Sequence, residues 1–201
     1  ASPHLEGFKS KKVPVLIMTD AIDQFWLPMV GSFKEKKFTS ITQGQINLDE
    51  LDAKNKDKKK DDKSEKEKQD KEYVDLVAQL KVVLGDQVKD IRLSSKLTDS
   101  PVCLVADEGD MDIAMEQLMA QRDTNYKGAP RILEINGDHS LIKNMKSLLS
   151  KKEDNDLVSD AGTLLFEQAR LMEGKMPADP AQFSKIMNQF LLKALLQNKI
   201  W

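Results

Sequence analysis

The sequence predicts an α+β protein, in which a small α/β segment is followed by an α+β domain ending in a helical hairpin. Three observations carry this expectation. Short apolar runs of strand length alternate with longer segments of helical spacing. A run built almost wholly of Lys, Asp and Glu, from Lys54 to Lys71, divides the chain. The end of the chain holds two amphipathic helices in tandem, with almost nothing after them to cover their apolar stripes.

In the first unit, residues 1–52, Val13 to Met18 reads as an apolar strand. Asp20 caps a helix that runs to about Val30, and Lys37 to Thr42 alternates as a second strand. So short a piece has too little core to stand alone and is expected to be the tail of a larger domain. Residues 53–71 can bury nothing and form either a solvated linker or an exposed helix laced with i,i+4 ion pairs. Their carboxylates cancel most of the positive field, which argues against a nucleic-acid arm.

In the second unit, residues 72–201, Tyr73, Val77, Leu80 and Leu84 restore helical spacing. Gly85 ends that helix because it tolerates the left-handed conformation. Val88 to Leu93, Val102 to Ala106 and Arg131 to Ile135 read as strands, the first two joined by the polar turn residues of Ser94 to Pro101. A helix from Asp110 to Gln121 lies between the second and third strands, and Asn136 to Asp138 opens another that runs to about Ser150.

The hairpin follows. Leu157, Ala161, Leu164, Leu165, Gln168 and Met172 share one helical face; Gly174, Pro177 and Pro180 break the chain; Phe183, Ile186, Met187, Phe190, Leu191, Ala194 and Leu195 form the next face. Asp179 is placed to cap the last helix, Pro180 fits its first position, and Gln182 completes a capping-box spacing. A hairpin packs on one side, so a second copy is the expected cover for the other. That arrangement is a four-helix interface about a two-fold axis, formed by Leu164, Leu165, Phe183, Ile186, Met187, Phe190, Leu191 and Leu195. Packing of both helices on their own subunit is the competing arrangement.

Composition narrows the function classes. The net charge of −2 over 201 residues gives no overall pull toward nucleic acid or an anionic membrane. No apolar run approaches the length of a membrane span, and the start lacks the pattern of a signal peptide. Cys103 is the sole cysteine and lies in an apolar run, so it is expected to pack as a small hydrophobe in a reducing cytosol. His4, His139 and Cys103 are too far apart in sequence for a metal-ligand spacing or a Cys/His dyad, and no phosphate-cradling glycine loop is present.

Two constellations remain as recognition candidates. Met111, Met115, Leu118 and Met119 line one side of a helix, with Ile113 and Ala114 off that line. A Met-rich face adapts to many apolar partners, while ordinary core packing is the competing reading. Phe25 and Trp26 are helical neighbours about 100° apart, so one is expected to face inward and the other outward. A third candidate belongs to another class: Asp20, after the expected strand, stands where a phospho-acceptor or hydrolase nucleophile sits in a doubly wound sheet. No companion acid pair is visible, and capping accounts for Asp20 and Asp23 equally well.

Several segments stand in a distinctive order: Ser2-Pro3-His4-Leu5-Glu6; Val15-Leu16-Ile17-Met18-Thr19-Asp20 with Ile22-Asp23; and Leu84-Gly85 with Val88-Lys89-Asp90-Ile91-Arg92-Leu93. Further along stand Leu97-Thr98-Asp99-Ser100-Pro101, Leu133-Glu134-Ile135-Asn136 with His139, and Asp179-Pro180 with Met187-Asn188. Together they resemble the heat-shock protein 90 chaperones, above all their bacterial form. The resemblance implies that residues 1 to about 52 are the distal part of the family's middle domain and that residues from about 72 form its dimerisation domain. It places the ATP and magnesium site and the catalytic arginine before Ala1, so this chain is expected neither to hydrolyse ATP nor to hold a cofactor or catalytic residue. Met111, Met115, Leu118 and Met119 match the family's client-contacting helix, and Phe25, with Trp26 beside it, matches its middle-domain aromatic. Where the bacterial pattern has Trp preceded by Glu, this chain has Gln24 and Phe25.

The tail Gln197-Asn198-Lys199-Ile200-Trp201 lacks the acidic motif that recruits tetratricopeptide co-chaperones. The implied partners are therefore a second copy and partly unfolded client proteins, in a bacterial cytoplasm or an organellar matrix.

Overall fold

The computed structural model describes residues 2–46, 48, 61–123, 128–151 and 154–197. A 3-10 turn at Pro3–Leu5 leads into α1 (Glu6–Ser10), and α2 covers Asp23–Val30. β1 (Ser32–Phe33) and β2 (Lys36–Lys37) pair as a minimal antiparallel hairpin. Lys34 and Glu35 both adopt positive φ, the backbone that a two-residue hairpin turn requires.

Three expectations for this segment fail. Val13 to Met18 is not a strand: it has no ladder partner among the described residues, and Leu16 and Ile17 are exposed. Without a neighbour to receive its amides, an apolar run gains nothing from the pleat. Asp20 does not cap α2; Ile22 occupies that position, and the Asp20 amide donates to the Asp23 carboxylate at 3.0 Å. Of the second expected strand, Lys37 to Thr42, only Lys37 pairs with β1. The next residues turn onto the second unit, where the Ala106 amide donates to the Thr42 carbonyl at 2.9 Å and the Gly44 amide to the Ala106 carbonyl at 2.8 Å.

α3 (Asp61–Leu84) is one continuous helix, with no proline or glycine to interrupt it. Of the Lys54 to Lys71 run, residues 61–71 are helical and the earlier part lies outside the described residues. Tyr73, Leu76, Leu80 and Leu84 form its buried stripe, so Leu76 takes the inward place expected for the half-buried Val77. Gly85, at φ +50°, ends the helix as its sequence position implied.

β3 (Val88–Leu93), β4 (Val102–Val105) and β5 (Arg131–Ile135) form one sheet in the order β3-β5-β4, with β5 parallel to β3 and antiparallel to β4. The Ser94 to Pro101 connection therefore passes across β5 instead of closing a hairpin. A bulge at Lys89 sets two residues of β3 against one of β5. It lets Val88 and Ile91, an odd number apart, both reach the same apolar core.

The remaining helices are α4 (Ile113–Arg122), α5 (Ser140–Ser150), α6 (Asn155–Met172) and α7 (Pro180–Gln197). α3, α5 and α6 cover one face of the sheet and build the main core, to which they contribute Leu80, Ile142, Met145, Val158, Leu165 and Phe166. On the other face Leu97, Cys103, Val105 and Ile132 form a smaller cluster. The Pro3–Leu5 turn lies against β4.

The hairpin is present, with its inward faces turned from those expected. On α6 the buried residues are Val158, Ala161, Gly162, Leu165, Phe166, Glu167 and Ala169; Leu164 is half-buried, and Gln168 and Met172 are exposed. Packing against α3 and the sheet selects that face. Leu165 and Ile186, expected between subunits, are buried within the chain itself. Asp179 caps α7 as anticipated, its Oδ1 accepting from the Ala181 and Gln182 amides at 3.0 and 2.9 Å.

Candidate functional site

The Met-rich helix takes its orientation from one carboxylate and one buried charge. Asp112 is its N-cap, with Oδ1 accepting from the Ala114 amide at 2.9 Å, so the helix starts later than Asp110 and Met111 lies just before it. Ile113 and Glu116 are the residues of α4 that are buried. With those two facing in, Met115, Leu118 and Met119 are half-buried, and Met111 is 40% exposed. Ile113, placed off the methionine line from spacing alone, is thus the apolar anchor.

Glu116 has no counterpart in the sequence expectations. Its side chain is 4% exposed and lies 2.6 Å from the Arg131 guanidinium, itself 3% exposed, at the start of β5. Lys175, in the α6–α7 connection, reaches the other Glu116 oxygen at 3.1 Å, and the Ala129 amide donates to the carboxylate at 3.3 Å. The Gln117 amide group donates to the Glu173 carbonyl at 3.1 Å, and Arg131 donates to the Met111 carbonyl at 2.9 Å. Beside these groups, burial raises the Glu173 carboxyl above its ordinary pKa, with Lys175 acting against that rise. A partnered charge of this kind holds helix, sheet and hairpin turn together, because loss of any partner strands its mate out of water. A sequence signal did exist. Arg131 opens an otherwise largely apolar strand, and Glu116 stands one helical turn from Ile113, so both are polar residues at core-facing positions.

The aromatic pair divides as neighbours on a helix must. Phe25 is 39% exposed, while Trp26 is half-buried, with its indole N–H on Asp23 at 2.8 Å and its ring edge-on to Phe38 at 6.3 Å. The hydrogen bonds that join the first segment to the α4 region run through Ser40, Thr42 and Gln43 rather than through α2. Asp20 is exposed and follows no strand, so the doubly wound geometry that a nucleophilic role required is missing. Cys103 is buried, and that burial together with the nearby Glu134 raises its thiol pKa. Among the described residues no group of three His, Cys, Asp or Glu side chains is arranged to hold a metal ion, and no helix is long and apolar enough to cross a membrane.

α7 presents a dense run of uncovered apolar side chains. Ile186 is buried, Phe183 and Phe190 are half-buried, and Phe190 packs on the main core. Met187, Leu191, Leu192, Leu195 and Leu196 are exposed, Leu195 by 67%, and Met172 and Met176 at the turn are exposed with them. Exposed apolar faces of this kind are a common feature of surfaces that associate.

Comparison with known proteins gives a consistent result. The family model described as Hsp90 protein matches residues 1–199. Chaperone protein HtpG of Roseobacter denitrificans is 43% identical over 196 residues, covering 96% of this chain and 31% of that protein. The proteins of the same name from Paramagnetospirillum magneticum and Wolbachia pipientis wMel are 40% and 38% identical, over 97% and 96% of this chain and 31% and 30% of their own lengths. The chain therefore spans about a third of the curated relatives it matches, and it belongs to the Hsp90 protein family.

Proposed function

We propose that this chain is the dimerising, polypeptide-binding part of a chaperone. Two copies join through the outward face of α7, and Met111, Met115, Leu118 and Met119, with Phe25 and Trp26, contact partly unfolded client proteins. The observation that carries this reading is the orientation of α4. Ile113 and the buried Glu116 occupy its inward side, which leaves Met111 exposed and Met115, Leu118 and Met119 half-buried outside the core, so that these flexible, polarisable side chains offer an irregular apolar segment a place to settle. The exposed leucines of α7 support the dimer, with Leu191 and Leu195 as its anchors and Leu164, Phe183, Met187 and Phe190 around them. Pairing brings two weak sites onto one client and raises their combined hold through effective concentration. ATP and magnesium act in the remainder of the intact protein, and the bacterial cytoplasm is its place of work.

The experiment separates the two surfaces. Replacing Met111, Met115 and Met119 by Ser is expected to weaken capture of reduced, carboxymethylated lactalbumin by about tenfold while the dimer persists. Unchanged capture overturns the client assignment. Changing Leu191 and Leu195 to Glu is expected to shift sedimentation to the monomer, and a persisting dimer places the interface elsewhere. These two are chosen over Phe190, whose contact with the core would confound the result.

A further inference from the structure

The start of α4 is held from outside its own unit. Asp112 uses Oδ1 to cap the helix, while its Oδ2 accepts from the Ser40 hydroxyl at 2.5 Å and from the Thr42 hydroxyl at 2.9 Å. The same segment continues the attachment: the Gln43 side-chain amide donates to the Asp110 carbonyl at 2.7 Å and to the Glu108 carbonyl at 3.2 Å. Thr42 and Gly44 bracket Ala106 through two backbone hydrogen bonds. Beneath the loop, Lys89 holds Asp107 and Asp110 from β3. Every bond between Ala106 and the first turn of α4 that involves residues 40–44 depends on how that segment is seated.

We propose that Ser40 and Thr42 are positioning residues for the client-contacting face of α4, acting through Asp112. This rests on the function proposed above for the methionines, and adds how their presentation is controlled. One carboxylate serves two masters with its two oxygens: an intrahelical amide and a pair of hydroxyls from the tail of the first unit. When the tail is seated, both oxygens are satisfied and the first turn of α4 is fixed in place. When it shifts, Oδ2 loses two charge-assisted donors, and the cap is free to rotate away from the Ala114 amide. Movement between the two units is thereby converted into order or disorder of the surface that meets the client.

The test is the double variant Ser40→Ala/Thr42→Val in the full chain, which removes both donors and leaves Asp112 and every methionine in place. Amide hydrogen exchange at Ala114 to Met119 is expected to accelerate about tenfold, with β5 amides unchanged. Affinity for reduced, carboxymethylated lactalbumin should fall with it. The hydroxyl-retaining variant Ser40→Thr/Thr42→Ser should behave like the wild type, which a role in packing alone would not predict. Unchanged exchange in α4 overturns the proposal, as does a loss in the hydroxyl-retaining variant equal to that of Ser40→Ala/Thr42→Val. Should the double variant fail to fold, the single variants Ser40→Ala and Thr42→Val supply the same reading in smaller steps. Exchange reports on the joint whether or not the methionines bind client, so its failure is distinguishable from failure of the proposed function.

Discussion

Glu116 and Arg131 face each other at 2.6 Å, one from a helix and the other from the central strand of the sheet, both almost wholly out of water. A pair so placed contributes little over apolar residues of the same size, yet breaking it is costly because the survivor keeps its desolvation penalty. Glu116→Gln leaves Arg131 and Lys175 facing a neutral amide. It should destabilise the fold by about 3 kcal/mol, read as a lower urea midpoint at constant m-value. The paired change Glu116→Gln/Arg131→Met should cost less than the sum of the two single changes. Strict additivity would mean that the two side chains do not interact energetically.

Helix crossing supplies the next prediction. A Cβ built on Gly162 of α6 would collide with Leu80 Cδ2 of α3, and Leu80 is buried in the main core. Alanine is the better helix former by about 1 kcal/mol, but overpacking of a close-packed interior costs about 1–3 kcal/mol. Gly162→Ala should therefore lower the thermal midpoint despite its propensity gain. Adding Leu80→Val, which removes the struck methyl group, should recover part of the loss; a stabilised Gly162→Ala single variant would show that α3 and α6 separate easily.

What was legible in the sequence divides along the line between local and non-local causes. Gly85 and Asp179 act through their own backbone neighbours, and both lie where their chemistry places them. The three strands of the second unit are short apolar runs bounded by turn residues and were located correctly. Their order is not written locally, since no neighbouring residue reveals that β5 inserts between β3 and β4. Val13 to Met18 has the composition of a strand and lacks the neighbour that would make it one. The inward face of α6 differs from the expected one for a related reason: apolar spacing fixes a stripe only when every inward residue is a large hydrophobe, and Gly162 and Glu167 are inward residues that the pattern discounts, as is Glu116 on α4. The exposed Met111 and the exposed α7 leucines, by contrast, are surplus apolar area that helical spacing alone brings to notice.

Acid should loosen the link between α1 and the loop before β4. The Glu6 carboxylate accepts from the amides of Thr98, Asp99 and Ser100 at 2.9–3.0 Å and from the Ser100 hydroxyl. Burial pushes its pKa up, but these hydrogen bonds outweigh that and hold the group below its ordinary value of 4.5. A depressed carboxyl contributes stability that is fully present above the unfolded value and is lost as pH falls through the folded one. Glu6→Gln should thus be less stable than wild type at neutral pH, and the gap should close below pH 4.5. A gap independent of pH would mean that shape, rather than charge, is what the nest of amides recognises.

His4 titrates in a different window. It belongs to the Pro3–Leu5 turn, with Nδ1 buried and unpartnered, and feels the charge of Lys96, whose ammonium donates to the Ile41 carbonyl at 3.0 Å. Desolvation and the Lys96 charge lower its pKa from 6.5 to about 4, against the weaker pull of Glu134, Asp112 and Glu6. The folded state therefore binds the His4 proton less readily than the unfolded chain does, so stability is complete above pH 6.5 and declines as pH falls toward 4. The loss reaches ~3 kcal/mol at the acid end of that range. Replacing His4 by Phe removes the titrating group while keeping an apolar ring of similar size. Urea midpoints measured between pH 7 and pH 4.5 should then fall less steeply than in wild type. Equal slopes for the two proteins would mean that His4 keeps its ordinary pKa in the folded state and that its burial carries no linkage to folding.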